Sequence, residues 1–249
     1  MQYKLLALDI DETLVKEATH IPSPKLYETL QLAAKKINIS IVTARSIIAA
    51  NQFLENIQLP PAYHALENGA KIMSPDGKLE RDLHIPHAEV QALIDAASGD
   101  FLDMGLCFDS HWNDKVTDHS DKIVNGLSFS CKSREAAIAL GEKLAKLDTQ
   151  YSINAGNHWS LAGYGSILIF HKDATKGNGL KYIQDKLGIQ PEETIAIGDG
   201  ATDRAMYQYA GLKVAMSNGD DQLKEEADII SKTVDEDGVV EIIEKYILS

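Results

Sequence analysis

Apolar residues along this chain fall into two kinds of run. Some are short and continuous: the stretch from residue 3 to 9, "ISIVTA" over 39–44, "YHAL" over 63–66, and "TIAIGDG", "LKVAM" and "ADIIS" in the last quarter. Others recur every three or four residues. Leu26, Leu30, Ala33 and Ile37 predict a helix over 24–37, Ile47, Ile48, Phe53, Leu54 and Ile57 one over 46–57, and Leu180, Ile183 and Leu187 one over 176–187. Shorter helices are predicted over 202–210, 220–226 and 238–247. Fully apolar strands alternating with amphipathic helices predict an α/β fold, a parallel sheet covered by helices on both faces. "ENGAKIMSPDGKLE" reads as a hairpin turning at "PDG".

The middle of the chain breaks this alternation. Strand candidates "FLDMGLCF", "GLSFSC", "YSINA", "HWSLA" and "SILIF" mostly follow one another, with helices only over 87–97 and 133–147. Strand after strand predicts antiparallel pairing. The expected organisation is therefore a core of residues 1–82 and 172–249 interrupted by an α+β domain over 83–171, both of ordinary domain size.

Composition narrows the function classes. The chain of 249 residues is 44% hydrophobic and 24% charged, with a formal net charge of -13. That charge argues against nucleic acid and anionic membrane as partners, which need a basic surface. A small anion can still be bound where a local cation reverses the field. No apolar run approaches the ~18 residues that span a bilayer, and the apolar stretch after Lys4 is too short for a signal peptide. The expected location is the cytoplasm. Cys107 and Cys131 lack metal-binding spacing and are expected as free thiols. No protein partner is inferable.

In an open parallel sheet, ligands bind beyond the carboxyl ends of the strands. There the pattern places Asp9, Asp11 and Thr13 after the first strand, Thr43 and Arg45 after the second, and Asp199, Gly200 and Asp203 after "TIAIG". Lys176 opens a helix that can reach the same edge. Each residue alone has a plain structural explanation as a turn, a helix start or a surface charge. Together, four Asp at two strand ends cannot all be ionised in one cleft without a cation, and oxygen-only ligation points to a hard ion, Mg2+ first. Lys176, the Thr43 hydroxyl and nearby backbone N–H groups are what a phosphoryl group needs.

At these residues the sequence resembles the haloacid dehalogenase superfamily of phosphotransferases. "LALDIDETL", "IVTAR", Lys176 in "DATKGNGL" and "IAIGDGATD" appear in that family's order. The long insert, and "ENGAKIMSPDGK" before it, resemble the Cof-type subgroup with a C2-type (IIB) cap. The resemblance implies a Rossmann-like catalytic core with an inserted α+β cap, and a Mg2+-dependent phosphatase of small phosphorylated metabolites. Sugar or polyol phosphates come first as substrates, and phosphoglycolate is also admitted. It implies Asp9 as nucleophile forming an aspartyl-phosphate and Asp11 as general acid and then base. Thr43, Arg45, Lys176 and Thr202 fall at phosphate-binding positions. Asp9, Asp11 (through its backbone carbonyl), Asp199 and Asp203 fall at metal positions, Asp203 as an outer ligand or as a partner of Lys176. Two positions depart from the pattern: Glu12 stands where Gly is frequent, and Thr202 where Asn is usual. A phosphomutase, and a catalytically silent phospho-ligand binding protein, remain as alternatives.

Other motifs carry less. "IGDGATD" places Asp203 where a dinucleotide site needs a small residue. His84 and His87 flank Pro86, so a solvated loop is expected there rather than a metal pair. Asp109, His111 and Trp112, and the segment "NHWS" over 157–160, are candidates for contact with substrate.

Overall fold

The structure, a computed structural model, describes residues 3–16, 19–114, 119–147, 151–158 and 161–249. The chain opens with β1 (Leu5–Leu8), α1 (Pro24–Ala33), β2 (Asn38–Ile41), α2 (Ile47–Ile57), β3 (His64–Leu66), β4 (Lys71–Met73) and β5 (Leu79–Asp82). The middle holds α3 (His87–Ala97), β6 (Asp103–Phe108), β7 (His111–Asp114), β8 (Gly126–Cys131), α4 (Arg134–Ala145), β9 (Tyr151–Asn157) and β10 (Gly165–His171). It closes with α5 (Lys176–Leu187), β11 (Thr194–Gly198), α6 (Arg204–Tyr207), β12 (Leu212–Met216), α7 (Asp221–Glu226), β13 (Ile229–Ser231) and α8 (Gly238–Ile243). No helix among the described residues is long and apolar enough to cross a membrane.

Five strands form the parallel sheet in the order β13-β12-β11-β1-β2. All four residues of β1 are buried because both faces are covered. Leu6 and Leu8 pack with Leu30, Phe53 and Ile243, whereas Leu5 and Ala7 pack with Leu180, Ile183 and Met206. Successive side chains of a strand point to opposite faces, so a run that is apolar without alternation is what a two-sided cover requires. Side-chain caps set the helix starts. Ser23 accepts from the Leu26 N–H with Pro24 following, Ser46 accepts from Ala49, and Thr175 from Asn178.

The second sheet is antiparallel, in the order β7-β6-β8-β10-β9, and packs on α3 and α4 through Leu93, Leu127, Phe129, Leu140, Ile167 and Ile169. It is a cap inserted into an α/β core. The chain enters it after β5 and returns at His171. Asn125 bridges that exit by donating to Asp82 and to the Leu83 carbonyl. Both cysteines are free and buried.

Several local expectations change. The "YHAL" strand has its ladder partner elsewhere: β3 pairs with β4 in a three-stranded antiparallel sheet, and meets the parallel sheet just past β2 through an isolated parallel bridge, Val42 to Ala65. β7 follows β6 directly, because Asp109 and Ser110 both take positive φ and close a tight hairpin without the usual Asn-Gly pair. The helix over 202–210 shrinks to a 3-10 turn over Ala201–Asp203 and the four residues of α6. The helix over 24–37 ends at Ala33. "HWSLA" is not a continuing strand: β9 stops at Asn157 and the chain turns by Leu161, with Trp159 and Ser160 lying outside the described residues.

Candidate active site

β1 and β11 lie side by side at the centre of the parallel sheet, where the connections diverge, so their carboxyl ends open the crevice such sheets use. Asp9 follows β1 directly, still tied to the ladder by its N–H on the Ile197 carbonyl at 3.1 Å. Asp199 follows β11. The side chain of Asp203 folds back under that turn. Its Oδ2 accepts from the N–H groups of Asp199 at 3.0 Å and Gly200 at 2.8 Å. The fit needs glycine at 198, since a Cβ there would collide with the Asp203 carboxyl group.

Lys176, the first residue of α5, is buried between these acids. Its Nζ lies 2.9 Å from Asp9 Oδ1 and 2.6 Å from Asp203 Oδ1. Burial disfavours the ammonium, but Asp203 and Asp9 outweigh it and hold the pKa above its ordinary value. Asp9 is pushed up to about 7 by burial, against Lys176, with Asp203 and Asp11 adding repulsion. Asp199 is also raised by burial and by Asp203 and Asp9. Lys176 is the cation of this pair and Asp9 is short of positive charge, because one ammonium serves three buried carboxylates.

That shortage bears on a metal. Asp9, Asp199 and Asp203 each offer an oxygen within 4.8 Å of the others, the one such group of three or more among the described residues. Asp203 spends both oxygens on Lys176 and two backbone N–H groups. Asp199 spends one, accepting from Thr13 Oγ1 at 2.9 Å. Asp9 and Asp199 therefore keep oxygens for a hard cation, which suits a donor set of carboxylates alone. The carboxylate of Asp11 is not in the group. It is held by Arg45, whose Nε and Nη2 donate to Oδ2 at 2.9 Å and Oδ1 at 2.6 Å. Arg45 also donates to the Thr19 carbonyl and meets His20 Nδ1. The guanidinium is thus committed to Asp11 and does not line the central cavity.

Thr43 is buried, and its Oγ1 accepts from the Arg45 N–H at 3.1 Å, which leaves the hydroxyl proton available. Glu12 adopts φ 55, a left-handed conformation that glycine tolerates without strain, and Asn218 donates to its carbonyl. Thr202 lines the cavity opposite. Residues that the sequence reading left without a role secure Lys176. Asn68 donates to the Ala174 carbonyl at 3.0 Å, and Gly69, at φ +89, packs so closely that a Cβ would strike the Thr175 carbonyl. The sequence signal for them is the "NGA" triplet within "ENGAKIMSPDGK".

The cavity over these acids holds about 320 Å³ and is roofed by the cap through Asn154, Asn157, His158, Ser166 and Leu168. A wider hollow of about 850 Å³ lies between the loop after β1 and the turn at Val234. It contains none of Asp9, Lys176 or Asp199, so the chemistry belongs to the smaller one. Asp109, His111 and Trp112 do not reach the cavity lining; Trp112 packs edge-on against Phe170 at 6.1 Å. His87 begins α3 and faces His119, not His84.

A family model described as haloacid dehalogenase-like hydrolase matches residues 6–243. A Bacillus subtilis protein named 5-amino-6-(5-phospho-D-ribitylamino)uracil phosphatase is 27% identical over 250 residues, covering 98% of this chain and 96% of the relative. A haloacid dehalogenase-like hydrolase from B. subtilis superposes with a TM-score of 0.83 at 20% identity, covering 97% and 99% of the two chains. A structure described as a HAD subclass IIB sugar phosphatase superposes with a TM-score of 0.76 at 23% identity over 97% and 98%.

Proposed function

The chain belongs to the haloacid dehalogenase-like hydrolases and is a phosphatase of that family, and from this premise we propose that it hydrolyses phosphate monoesters of small metabolites through an aspartyl-phosphate on Asp9. Sugar and polyol phosphates are the foremost substrates. The observation that carries this reading is the buried Asp9–Lys176–Asp203 chain, which sets the Asp9 carboxylate, with an ammonium behind it, in the wall of a small cavity roofed by the cap.

In the first half-reaction an Asp9 oxygen forms a bond to phosphorus as the ester P–O bond breaks, and Asp11 gives its proton to the departing oxygen. Water then attacks phosphorus, Asp11 takes a proton from it, and the acyl phosphate P–O bond breaks to release phosphate and the Asp9 carboxylate. Lys176 and the Thr43 hydroxyl hold the phosphoryl oxygens. Asp11 frees one oxygen from Arg45 to carry this proton while the other stays held, so Arg45 is its positioning partner rather than a phosphate ligand. Asp9 and Asp199 would hold Mg2+, with the Asp11 carbonyl completing the protein share and Asp203 outside it. Bound there, Mg2+ supplies the positive charge that lets a carboxylate approach a phosphate dianion.

Residues 83–171 are proposed as the moving cap, which excludes water when closed. The test is a phosphate-release screen over sugar, polyol, glycolate and nucleotide phosphates with Mg2+ or with chelator. Release of free phosphate from sugar or polyol phosphates is expected. Return of the phosphoryl group to substrate would mark a mutase instead, and binding without turnover a silent phospho-ligand protein.

A further inference from the structure

The cap sheet has two faces, and strand register separates them. Ile153, Leu127, Phe129, Ile167 and Ile169 lie in the cap's own core. The alternate positions look the other way, towards the catalytic centre. Directly opposed residues share a face, so Leu168 aligns with Asn154 and Ser128, and Ser166 with Gly156 and Ser130. Above Asp9 and Asp199 the cap thus offers amide and hydroxyl groups around one apolar side chain. Among the described residues, none of the cap residues that line the cavity is a lysine or arginine.

The remaining groups sharpen this. His158 is the one titratable cap residue in the described lining. Its Nδ1 accepts from the Leu161 N–H at 3.1 Å and its Nε2 meets Ser130 Oγ at 3.1 Å, an arrangement of the neutral ring, and burial lowers its pKa further. The core wall adds Glu12 and Asp220. Arg134 on the cap approaches the cleft, but it faces Asp220 at 3.8 Å. Lys176 and Arg45 are spent on Asp9, Asp203 and Asp11. Among the described lining residues a second anionic group on the substrate would find carboxylates and no lysine or arginine, and would lose its hydration on entering. Hydroxyls would find amide and hydroxyl partners, and a C–H face would rest on Leu168.

We propose that the inner face of the cap is a charge filter, with Asn154 and Ser166 as specificity-determining residues: it admits uncharged polyhydroxylated leaving groups and rejects those bearing a carboxylate or a second phosphate. The inference rests on the phosphatase reading of the same site. It removes phosphoglycolate from the substrates admitted above.

The experiment compares substrates that differ in one terminal group. Glycerol 3-phosphate is set against 3-phosphoglycerate, and glucitol 6-phosphate against 6-phosphogluconate, with p-nitrophenyl phosphate as a reference for the basic chemistry. The hydroxyl member of each pair is expected to show the higher kcat/KM by about tenfold or more. Asn154→Lys is expected to cut that ratio about tenfold, mainly through KM for the carboxylate member. Asn154→Leu should lower kcat/KM for the hydroxyl member without helping the carboxylate member. Equal or inverted rates in the wild-type protein, with p-nitrophenyl phosphate hydrolysed, overturn the filter and leave the phosphatase reading intact. Phosphate release from none of these esters overturns both.

Discussion

Arg45 grips Asp11 at two points, Nε on Oδ2 and Nη2 on Oδ1, and is itself almost wholly buried. Fork-to-fork pairing of this kind fixes orientation as well as charge. Arg45→Met should therefore leave Asp11 misdirected. Turnover of glucitol 6-phosphate, whose alkoxide needs a proton, should fall about 10- to 100-fold. Turnover of p-nitrophenyl phosphate, whose phenolate leaves unaided, should fall far less. A uniform rise in KM for both esters, with kcat kept, would make Arg45 a phosphate ligand instead.

Asp9→Asn keeps the shape of the side chain and removes the nucleophile. Turnover should drop by at least roughly 10³ on every ester, while far-ultraviolet circular dichroism stays that of the wild type. Full activity in this variant would refute the nucleophile assignment.

Asp9 and Asp199 crowd negative charge in a buried place, so a bound divalent cation should stabilise the fold. A cation at a hundredfold its Kd contributes about 2.7 kcal/mol. Adding Mg2+ to chelator-treated protein should raise Tm, and Asp199→Asn should blunt that rise. No change in Tm and no loss of activity on chelation would sink the metal assignment.

His64 is buried under the parallel sheet and accepts the Ile41 N–H through Nδ1 at 3.1 Å, with its pKa lowered by burial to about 4. The unfolded chain takes up this proton near pH 6.5 and the folded chain near 4. Stability is thus full above 6.5 and declines as pH falls through that window, by up to about 3 kcal/mol at its lower end. The raised Asp9 pKa acts with the opposite sign over the same window, so the slope is read as the difference in urea stability between the wild type and His64→Asn from pH 7 to 4.5, which should shrink as pH falls.

Gly69 sits at φ +89 against the carbonyl that precedes Lys176. Gly69→Ala should cost at least about 2 kcal/mol, read as a lowered midpoint in urea, because both the backbone and the contact resist a Cβ.

The parallel sheet was legible because a strand covered on both faces must be apolar throughout, as β1 is and as β11 is after Thr194. The catalytic edge followed, since strand ends in such a sheet converge whatever the helices do. What stayed hidden depends on partners distant in sequence. Nothing around Arg45 says that its fork closes on Asp11 rather than on a phosphate. The "YHAL" strand looks like any core strand until β4 is there to pair with it. Residues 151–157 alternate too weakly to say which face meets the cap core; only pairing with β10 turns Ile153 to that core and Asn154 to the catalytic side. The helix after Asp199 fell short because Asp203, read as a helix residue, turns its side chain back to cap the Asp199 and Gly200 amides.

The pairing of β1 with β11 also sets an order of assembly. Leu5 aligns with Thr194, so β1 lacks one of its two neighbours until most of the chain has been synthesised. All strands of the cap sheet lie between Asp103 and His171 and pair only with one another. On a ribosome the specificity-bearing half can finish while the reactive half still waits with an open edge, the state in which such chains are most exposed to aggregation. The same arrangement keeps the nucleophile idle until the last ligands arrive: Asp9 emerges first, and gains Lys176 and Asp199 only when the molecule is nearly complete.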